Sequence, residues 1–264
     1  MNDFSGDSDC VALWNLQPAG QHLVDSKGSH TLSENGTPEE VVDGGSPVGA
    51  GWVNLNRNSN EYLYINDGNL SLDFPLKSDT SNAIMSACLW FNSDLAVDDV
   101  TGRILYGKYN ASALRRQFYA ALYGATNKSV RFVFGSSNGT AYQIVEDVVT
   151  GIDPGQWYHL GFTFDGSSDS GSWKARLWNG STEQDNSGTI DYAISTGSSM
   201  TEPVRMGFYT GASNYYDGNL VEIVVFKREL TLAEITQIRQ GTYGTSQRTN
   251  FVMPFSGVIS SPGA

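Results

Sequence analysis

Apolar and polar residues alternate along this chain in short segments. In residues 157–165 the apolar side chains occupy every second position, at Tyr158, Leu160, Phe162 and Phe164. A period of two is typical of a strand with one buried face, so this segment is predicted to be a core strand. Residues 173–178 form a second strand that ends at Asn179-Gly180, a strong hairpin-turn signal. The two strands are predicted to lie side by side in one sheet.

Further segments of this kind are separated by turn residues at similar spacing. They are residues 10–16, 52–55, 61–65, 83–92, 103–109, 117–123, 130–134 and 142–149. This rhythm is typical of a sandwich or jelly roll. One helix is predicted late in the chain, where Thr231 and Glu234 form a capping box and Gly241 stops the helix. The predicted fold is therefore all-β, a two-sheet antiparallel jelly-roll sandwich with one short helix near the C-terminus.

The composition agrees with this pattern. The chain has 264 residues, of which 29 are glycine, and 17% of them are charged. Such a composition suits short strands with frequent turns, and all-β sandwiches of this length are commonly single domains. We predict one jelly-roll domain over residues 1–242 and a C-terminal tail over residues 243–264. The tail is polar and contains Gly, Ser and Pro, so we expect it to be loose in isolation and to be held by a protein neighbour in an assembly.

The net charge of the chain limits the classes of partner that the protein is expected to bind. The formal net charge of -12 repels a phosphate backbone and an anionic membrane surface. The longest apolar run, near residues 220–226, is far shorter than the roughly 20 residues that span a bilayer. The sequence therefore predicts neither nucleic-acid binding nor membrane insertion.

The N-terminus and the cysteines bear on the location of the protein. Residues 1–7 are acidic and polar, whereas a secretory signal is basic and then apolar, so no signal peptide is predicted in this chain. Either a signal has been removed, or the protein is released by lysis as a component of a virus particle. We expect an extracellular or virion-surface location. Cys10 and Cys88 form either a disulfide or two buried thiols.

Catalytic patterns are weak in this sequence. Glycoside hydrolysis needs two carboxylates on one face, whereas the adjacent pairs Asp98-Asp99 and Glu146-Asp147 point to opposite faces of a strand. His159 alternates with apolar residues and is interpreted as a packed strand histidine. The sequence has no serine elbow and no zinc-type Cys/His spacing. We therefore expect no enzyme activity.

A binding surface is the better candidate for a functional site. Several strands place aromatic or basic residues opposite their apolar faces: Tyr119, Tyr123, Arg131, Lys174, Arg176, Trp178, Arg205 and Tyr209. If these strands lie in one sheet, the face combines rings with hydrogen-bond donors, as sugar sites do. The alternative interpretation is a solvated face of amphipathic side chains. The loop that contains Tyr209, Tyr215 and Tyr216 is a second candidate, for a glycan or a protein contact.

Several segments, in their order along the chain, resemble the motifs of one fold family. They are Trp14 with Asp25-Ser26-Lys27-Gly28, Tyr62-Leu63-Tyr64-Ile65, Ser86-Ala87-Cys88-Leu89-Trp90-Phe91, Gly155-Gln156-Trp157-Tyr158-His159-Leu160 and Tyr216-Asp217-Gly218-Asn219-Leu220. This order is similar to that of the laminin G-like and pentraxin-like jelly rolls of the concanavalin A-like superfamily, over residues 10–242. The resemblance implies the fold and says little about function.

Calcium is the one cofactor that the resemblance raises. Calcium-binding members of the family often place an aspartate in the penultimate strand, where this sequence has Glu222 after Asp217. Together with Asp165, these two residues are the candidate metal ligands. Six to eight oxygen atoms must converge on a calcium ion, and spacing alone does not establish that convergence. A calcium site is therefore an open alternative at the level of the sequence.

Three hypotheses follow, and the first two belong to different functional classes. The first is a non-catalytic surface recognition module that binds a carbohydrate or another cell-surface ligand and is displayed on a cell or a virus particle. The second is a structural assembly protein, such as a bacteriophage capsid decoration or tail component, that contacts its neighbours through the C-terminal tail. Glycoside hydrolysis is the third hypothesis.

Overall fold

The alternating apolar residues assemble into two antiparallel sheets that bury them against each other. The computed structural model describes residues 1–18, 20–42, 45–49, 51–94, 102–111, 113–124, 128–136, 141–208 and 215–245. Within these ranges the predicted core strand is present, and its apolar residues Tyr158, Leu160, Phe162 and Phe164 are all buried. The period of two in the sequence therefore reports a real division between a core face and an outer face.

Fifteen strands are present in the described residues. In chain order they are β1 (Cys10–Trp14), β2 (Ser33–Asn35), β3 (Glu39–Val41), β4 (Trp52–Leu55), β5 (Tyr62–Ile65), β6 (Ile84–Ser93), β7 (Arg103–Asn110), β8 (Arg115–Tyr123), β9 (Ser129–Gly135), β10 (Tyr142–Val149), β11 (Tyr158–Asp165), β12 (Gly171–Trp178), β13 (Glu183–Ile190), β14 (Val204–Met206) and β15 (Gly218–Phe226).

Eight of these strands form sheet A, in the order β13-β12-β11-β6-β15-β4-β3, with β1 also paired to β15. The other seven form sheet B, in the order β10-β9-β8-β7-β14-β5-β2. Two single turns of 3-10 helix, Arg57–Ser59 and Asp67–Asn69, and one α-helix, α1 (Leu232–Arg239), complete the regular structure of the described residues. The predicted two-sheet sandwich with one short late helix is confirmed.

Aromatic rings fill the space between the two sheets. The ring of Phe162 on sheet A lies 5.2 Å from that of Phe118 and 5.5 Å from that of Phe132, both on sheet B. Phe164 lies 4.7 Å from Phe118 by the same centroid measure. Contacts of this kind stabilise a core beyond the area that they bury. The inner faces of the sheets consist of the alternate residues that the pattern predicts.

The α-helix begins at the predicted capping box. Thr231 Oγ1 accepts a hydrogen bond from the backbone N–H of Glu234 at 3.2 Å, and Glu234 Oε2 accepts from the backbone N–H of Thr231 at 2.7 Å. The helix packs on the outer face of sheet A, where Ile235 lies directly above Gly161. Part of that outer face is therefore covered. No helix within the described ranges is long and apolar enough to cross a membrane.

Alternation does not predict strands β2, β3, β13 and β14. Strand β13 is polar and largely exposed, because it forms the edge of sheet A and buries only its last residue, Ile190. The Asn179-Gly180 signal leads into this strand, and Asn179 Oδ1 accepts from the backbone N–H groups of Ser181 and Thr182. The turn therefore joins β12 to β13. Strands β11 and β12 are neighbours, as predicted, but are joined by residues 166–170.

Cys10 and Cys88 are both free and buried, so the disulfide alternative is wrong. Cys10 pairs with Phe226 on one side of β15, whereas Cys88 pairs with Val224 on its other side. The strand between them separates their backbones by roughly 9–10 Å, which is beyond the reach of a disulfide. Burial raises the pKa of the Cys10 thiol to about 12, which makes it a poor nucleophile.

The N-terminal segment and Tyr243 pack together beside the helix. The Tyr243 ring stacks on Phe4 with centroids 5.3 Å apart, and the backbone N–H of Asp3 donates to the carbonyl of Tyr243 at 2.8 Å. Tyr243 is only 6% exposed, although the sequence assigns it to the tail. Residues 246–264, which make up most of the predicted tail, lie outside the described residues.

A buried ion cluster ties β7 to two surrounding segments. Lys108 is fully buried, and its Nζ donates to Asp67 Oδ1 at 2.5 Å and to the carbonyls of Leu76 at 2.6 Å and Met200 at 2.8 Å. Asp67 also accepts from Lys77 Nζ at 2.7 Å. Burial lowers the pKa of Lys108 to about 8, against the opposing effect of Asp67. The three hydrogen bonds compensate the desolvation of the ammonium group.

Candidate functional site

The outer face of sheet A carries four tryptophans, which we name the tryptophan surface: Trp52, Trp90, Trp157 and Trp178. Trp52 points outward because Val53 and Leu55, which alternate with outward positions on β4, are buried in the core. The same alternation turns Trp90 and Trp178 outward on β6 and β12. The remaining tryptophans, Trp14 and Trp173, belong to the core between the sheets.

Strand register brings three of the side chains on this face into one row. Trp178 on β12 pairs with His159 on β11, which pairs with Trp90 on β6. Neighbouring strands lie about 4.8 Å apart, so the three side chains stand next to one another. The centroid of the Trp90 indole lies 5.0 Å from that of the His159 imidazole, in an edge-to-face contact. This row is the floor of the tryptophan surface.

Trp52 and Trp157 meet beside this row. Their ring centroids are 5.7 Å apart, with an interplanar angle of 71°. Strands β4 and β11 are separated in the sheet by β15 and β6, a distance of roughly 14 Å between backbones. The two indoles therefore lean toward each other across β15 and β6. Both are half-buried, whereas Trp90 is 5% exposed, so the pair presents the accessible aromatic area.

Several buried polar atoms in this region have no hydrogen-bond partner among the described residues. They are Trp90 Nε1, Asn92 Oδ1 and both ring nitrogens of His159. Buried polar groups are nearly always paired, and leaving one unpaired costs about 1–3 kcal/mol. Unused donors and acceptors therefore lie below the exposed rings, where water or a hydroxylated ligand could satisfy them.

His159 is uncharged at neutral pH. It is 1% exposed, and burial lowers its pKa to about 3, with a smaller contribution from the nearby Arg239 guanidinium. A neutral imidazole provides one donor and one acceptor, and it carries no charge that would select an ionic ligand. The histidine is packed within a strand, as the sequence indicates.

Amide and carboxylate groups lie at one edge of the tryptophan surface. Asn54 Nδ2 donates to Asn219 Oδ1 at 2.8 Å and to Asp94 Oδ2 at 3.1 Å. Asn54 and Asn219 are half-buried and Asp94 is exposed. A few fixed polar groups beside aromatic area are typical of small-molecule sites, because the rings supply contact area and the polar groups supply orientation.

Lys174 and Arg176 lie on the same outer face, but they anchor the helix. Arg176 Nη1 donates to Thr236 Oγ1 at 2.6 Å, and its Nε and Nη2 donate to the Asp185 carboxylate at 2.6 Å each. Lys174 Nζ lies 3.7 Å from Glu229, just before the helix. This part of the predicted ligand surface is therefore the docking face of α1, because the helix needs partners for its polar groups.

Trp178 lies at the border between the helix and the open part of the face. The guanidinium carbon of Arg239 is 4.1 Å from the Trp178 ring centroid. Arg239 Nη2 also donates to Glu183 Oε1 at 3.0 Å. The positive charge of Arg239 is thus shared between an indole face and a carboxylate, which leaves Trp178 half-buried.

A cavity of about 300 Å³ lies beside the tryptophan surface, where the C-terminal end of α1 approaches β15. Its lining includes Pro47, Val48, Glu222 and Arg239. Glu222 sits in a β-bulge of β15 with φ of 44°, and its carboxylate is 3.5 Å from Asn2 Nδ2. Burial raises the pKa of Glu222 from 4.5 to about 7. Arg239 contacts both this cavity and Trp178, so the two features adjoin.

Glu222→Gln is expected to reduce the pH dependence of thermal stability. Between pH 4.5 and about 7 the unfolded chain loses the Glu222 proton while the folded chain keeps it, so stability falls as pH rises through this window. The glutamine variant removes that loss. The test compares melting temperatures at pH 5 and pH 7.5. A decrease between the two pH values that is equally large in both proteins would contradict the assignment.

Two of the predicted site residues lie on the opposite sheet. Arg131 on β9 stacks on Tyr123, with its guanidinium carbon 3.3 Å from the ring centroid, and it pairs with Glu146. Arg205 lies on β14, and both strands belong to sheet B, whereas β12 belongs to sheet A. The predicted single face of aromatic and basic residues is therefore wrong, because strand order in the sheets separates its members.

The predicted aromatic loop is divided between the core and the surface. Tyr216 is fully buried in the main core, and its hydroxyl donates to the carbonyl of Asn219 at 3.3 Å. It is therefore a core residue and not a surface ligand. Tyr215 is half-buried and stacks on Phe208, with centroids 4.4 Å apart. Tyr209 lies outside the described residues.

The three candidate metal ligands are far apart. Asp165 pairs with the first residue of β6, whereas Gly218, next to Asp217, pairs with its last residue. A ten-residue strand spans roughly 30 Å. Glu222 lies between these two ends, in the bulge of β15. The described residues contain no group of three or more His, Cys, Asp or Glu that could hold a metal ion, so the predicted ligands do not fit a calcium site.

Sequence reasoning missed Trp52, Trp90 and Trp157 as members of a surface. A signal for Trp157 was present, since it alternates with the core residues of β11. Its contact with Trp52 carries no signal, because 105 sequence positions separate the two residues and only the strand order brings their rings together.

Comparison with solved structures finds similar folds. Domain 4 of AbnA, a GH43 extracellular arabinanase from Geobacillus stearothermophilus, solved in complex with arabinotriose, is 17% identical with a TM-score of 0.60, covering 88% of this chain and 98% of that chain. The botulinum neurotoxin serotype G binding domain is 12% identical with a TM-score of 0.57, covering 88% of this chain and 50% of the other. These identities establish similarity of fold alone.

A third similar structure is that of botulinum neurotoxin type C, described with its interaction with two ganglioside molecules. It is 8% identical with a TM-score of 0.57, covering 89% of this chain and 51% of that chain. This chain therefore matches about half the length of the two toxin chains.

A match to a family model identifies the superfamily of this chain. No curated protein matches the sequence. A laminin G-type family model, described as the concanavalin A-like lectin/glucanases superfamily, matches residues 57–236, which is more than half of the chain. The match covers strands of both sheets and most of α1. The chain belongs to the concanavalin A-like lectin/glucanases superfamily.

Proposed function

We propose that this protein is a carbohydrate-binding module that holds a neutral saccharide on the tryptophan surface. The observation that carries this proposal is the meeting of Trp52 and Trp157 beside unpaired, buried polar atoms of Trp90, Asn92 and His159. Sugars present C–H groups on the faces of their rings and hydroxyl groups around the edges. Indole faces and fixed hydrogen-bonding groups complement these two features.

The charges on this surface favour a neutral sugar. Arg239 is occupied by Glu183 and the Trp178 ring, and His159 is uncharged at neutral pH. Asp94 is exposed at the edge and would repel an anionic sugar. The amides of Asn54 and Asn219 offer further contacts to hydroxyl groups. The similar fold of the arabinanase domain, solved with arabinotriose, supports a saccharide as the ligand class.

Replacing Trp157 with alanine is expected to weaken saccharide binding by about tenfold, which corresponds to about 1.4 kcal/mol of lost ring contact. The double variant Trp52→Ala/Trp157→Ala is expected to bind saccharides too weakly to measure. Arabinotriose and a panel of neutral oligosaccharides are the probes, and binding is followed by calorimetry. Because the ligand contacts indoles, the tryptophan fluorescence of the wild-type protein should change on binding.

Tyr192→Ala is the matched control, since this aromatic residue is 38% exposed and follows the end of β13 that pairs with Gly171, whereas the other end pairs with Trp178. It should bind as the wild type does, and all variants should keep cooperative unfolding. A Trp157→Ala protein that folds and binds a panel sugar with unchanged affinity contradicts the proposed site. Failure of the wild type to bind any saccharide contradicts the proposed function.

Location and assembly belong to this proposal as well. A module that recognises saccharides would be displayed outside a cell or on a virus particle, and this location stays a prediction. The alternative role in an assembly depends on contacts of residues 243–264, most of which lie outside the described residues. An assembly role is compatible with saccharide binding, because residues 243–264 are a different part of the sequence from Trp52 and Trp157.

A further inference from the structure

Sheet B carries a separate aromatic cluster, which we name the tyrosine surface: Tyr62, Tyr64, Phe208 and Tyr215. The Tyr62 ring lies 5.7 Å from Tyr64, 4.9 Å from Phe208 and 6.2 Å from Tyr215, measured between centroids. All four residues are half-buried, so part of each side chain faces solvent. The four rings form one continuous aromatic area on the face of the sandwich opposite the tryptophan surface.

The strands hold this cluster and Arg205 on the same outer face. Leu63 and Ile65 of β5 are buried in the core, so Tyr62 and Tyr64 point outward. Arg205 points outward for the same reason, and it pairs with Tyr64 across β14 and β5. Its guanidinium carbon lies 5.9 Å from the Phe208 centroid. The aromatic cluster therefore borders one guanidinium group on a rigid sheet.

The polar atoms of this surface are largely unused. Within the described part of the chain, the hydroxyls of Tyr62, Tyr64 and Tyr215 have no hydrogen bond that would occupy them. Arg205 Nη1 is buried and makes no hydrogen bond among the described residues, and it forms an ion pair with Glu202 Oε2 at 3.5 Å. An apolar partner would leave these groups unsatisfied, whereas a hydroxylated, anionic partner would satisfy them.

The local charge also favours an anion. Glu202 is a single carboxylate that faces both Arg205 and Arg115, with Arg115 Nη1 at 3.2 Å. Arg103 Nη1 donates to the carbonyl of Tyr215 at 3.3 Å, which places a third guanidinium beside the cluster. Among the described residues, the guanidinium groups of Arg205 and Arg103 lie beside the ring cluster, and the Glu202 carboxylate pairs with Arg205, in a protein with a net charge of -12.

We propose that the tyrosine surface is a second saccharide site, which binds sugars that carry a carboxylate. The rings accept the C–H face of the sugar, the tyrosine hydroxyls bind its hydroxyl groups, and Arg205 pairs with its carboxylate. The two sites lie on opposite faces of the sandwich, so one protein molecule engages two saccharide chains at once. Such a bivalent module binds a multi-chain glycan more tightly than either site alone.

The test uses acidic oligosaccharides beside uncharged counterparts of the same length. Sialyllactose is compared with lactose, and oligogalacturonate with its methyl ester. The wild-type protein is expected to bind at least one acid about tenfold more tightly than its uncharged counterpart, with affinity that falls as sodium chloride increases. Equal affinity for acid and counterpart, or no binding of either acid, overturns the proposal and leaves a protein contact as the role of this surface.

Variants locate the site. Arg205→Gln is expected to remove the preference for the acid, and Arg205→Lys to retain part of it because the charge remains without the planar fork. The double variant of Trp52 and Trp157 should keep acid binding, which separates this site from the tryptophan surface. Acid binding that survives in a folded Arg205→Gln protein, or is lost in the tryptophan variant, overturns the assignment. Binding of neutral sugars by the double tryptophan variant is a separate measurement, and its loss tests the tryptophan surface independently of the tyrosine surface.

Discussion

Replacing Asp67 with alanine is expected to lower the free energy of unfolding by about 3–5 kcal/mol. Lys108 is fully buried, and Asp67 is the carboxylate that its ammonium group contacts, at 2.5 Å. The alanine variant leaves that ammonium with only the carbonyls of Leu76 and Met200. A buried charge without its counter-ion is strongly destabilising, because the backbone dipoles do not replace the lost attraction.

The pH dependence of the Asp67→Ala variant identifies the cause. Without Asp67 the pKa of Lys108 falls further below its usual value, since burial already lowers that pKa. The folded protein then favours the neutral amine, so the deficit in stability is greatest at neutral pH and shrinks as the pH rises toward 10. Chemical denaturation at pH 7 and pH 9.5 measures this trend. A deficit that does not change with pH would indicate lost packing as the cause.

Lys108→Met provides the comparison for the same cluster. It removes the buried charge and leaves Asp67 hydrogen-bonded to Lys77 and Ser78. A methionine side chain suits the buried position in size. We therefore expect a smaller loss than in Asp67→Ala. The double variant should be more stable than Asp67→Ala alone, because it contains no uncompensated ammonium group.

Gly161→Leu is expected to displace helix α1 and to destabilise the fold by about 1–3 kcal/mol. A Cβ atom at Gly161 would lie 2.2 Å from Ile235 Cγ2, which is far closer than atoms pack. Ile235 is fully buried in the cluster that joins the helix to the outer face of sheet A. The helix must therefore shift, and the hydrogen bond from Arg176 Nη1 to Thr236 Oγ1 is lost with it.

Hydrogen exchange and thermal unfolding together test this expectation. Amides of α1 should exchange faster in Gly161→Leu, while amides of the core strands β6 and β11 should keep their protection. Gly6→Leu is the control, because a Cβ atom at Gly6 meets no atom within 4 Å. Unchanged hydrogen-exchange rates of the α1 amides in the Gly161→Leu protein would contradict the conclusion that the helix packs directly on this glycine.

Local patterns predicted the elements whose cause is local. The alternation in residues 157–165 predicted β11 because one face of that strand is buried and the other is not. The capping box at Thr231 and Glu234 predicted the start of α1 because both partners lie within one turn. Strand β13 escaped prediction since an edge strand is stabilised by backbone pairing with β12, which requires no apolar alternation.

Single residues of the candidate site could be predicted from the sequence, but their grouping into one surface could not. Trp178 and Arg205 were predicted as ligand contacts from their position on outward faces, but their strands belong to opposite sheets. Trp52 and Trp157 were not predicted, because strand order and not sequence distance brings their rings to 5.7 Å. Arg176 was predicted as a ligand contact because its strand alternates, but the helix that covers it arrives from the end of the chain.

Short-range patterns in the sequence predict the fold class, the core faces of the main strands, the capped helix and the family motifs. Each of these depends on residues that are close in sequence, through strand period, helix capping or turn geometry. The tertiary structure alone decided which outward faces meet, which are covered and which charges are buried. Those properties depend on the pairing of distant strands, as the fully buried Lys108 and the half-buried Trp52 both illustrate.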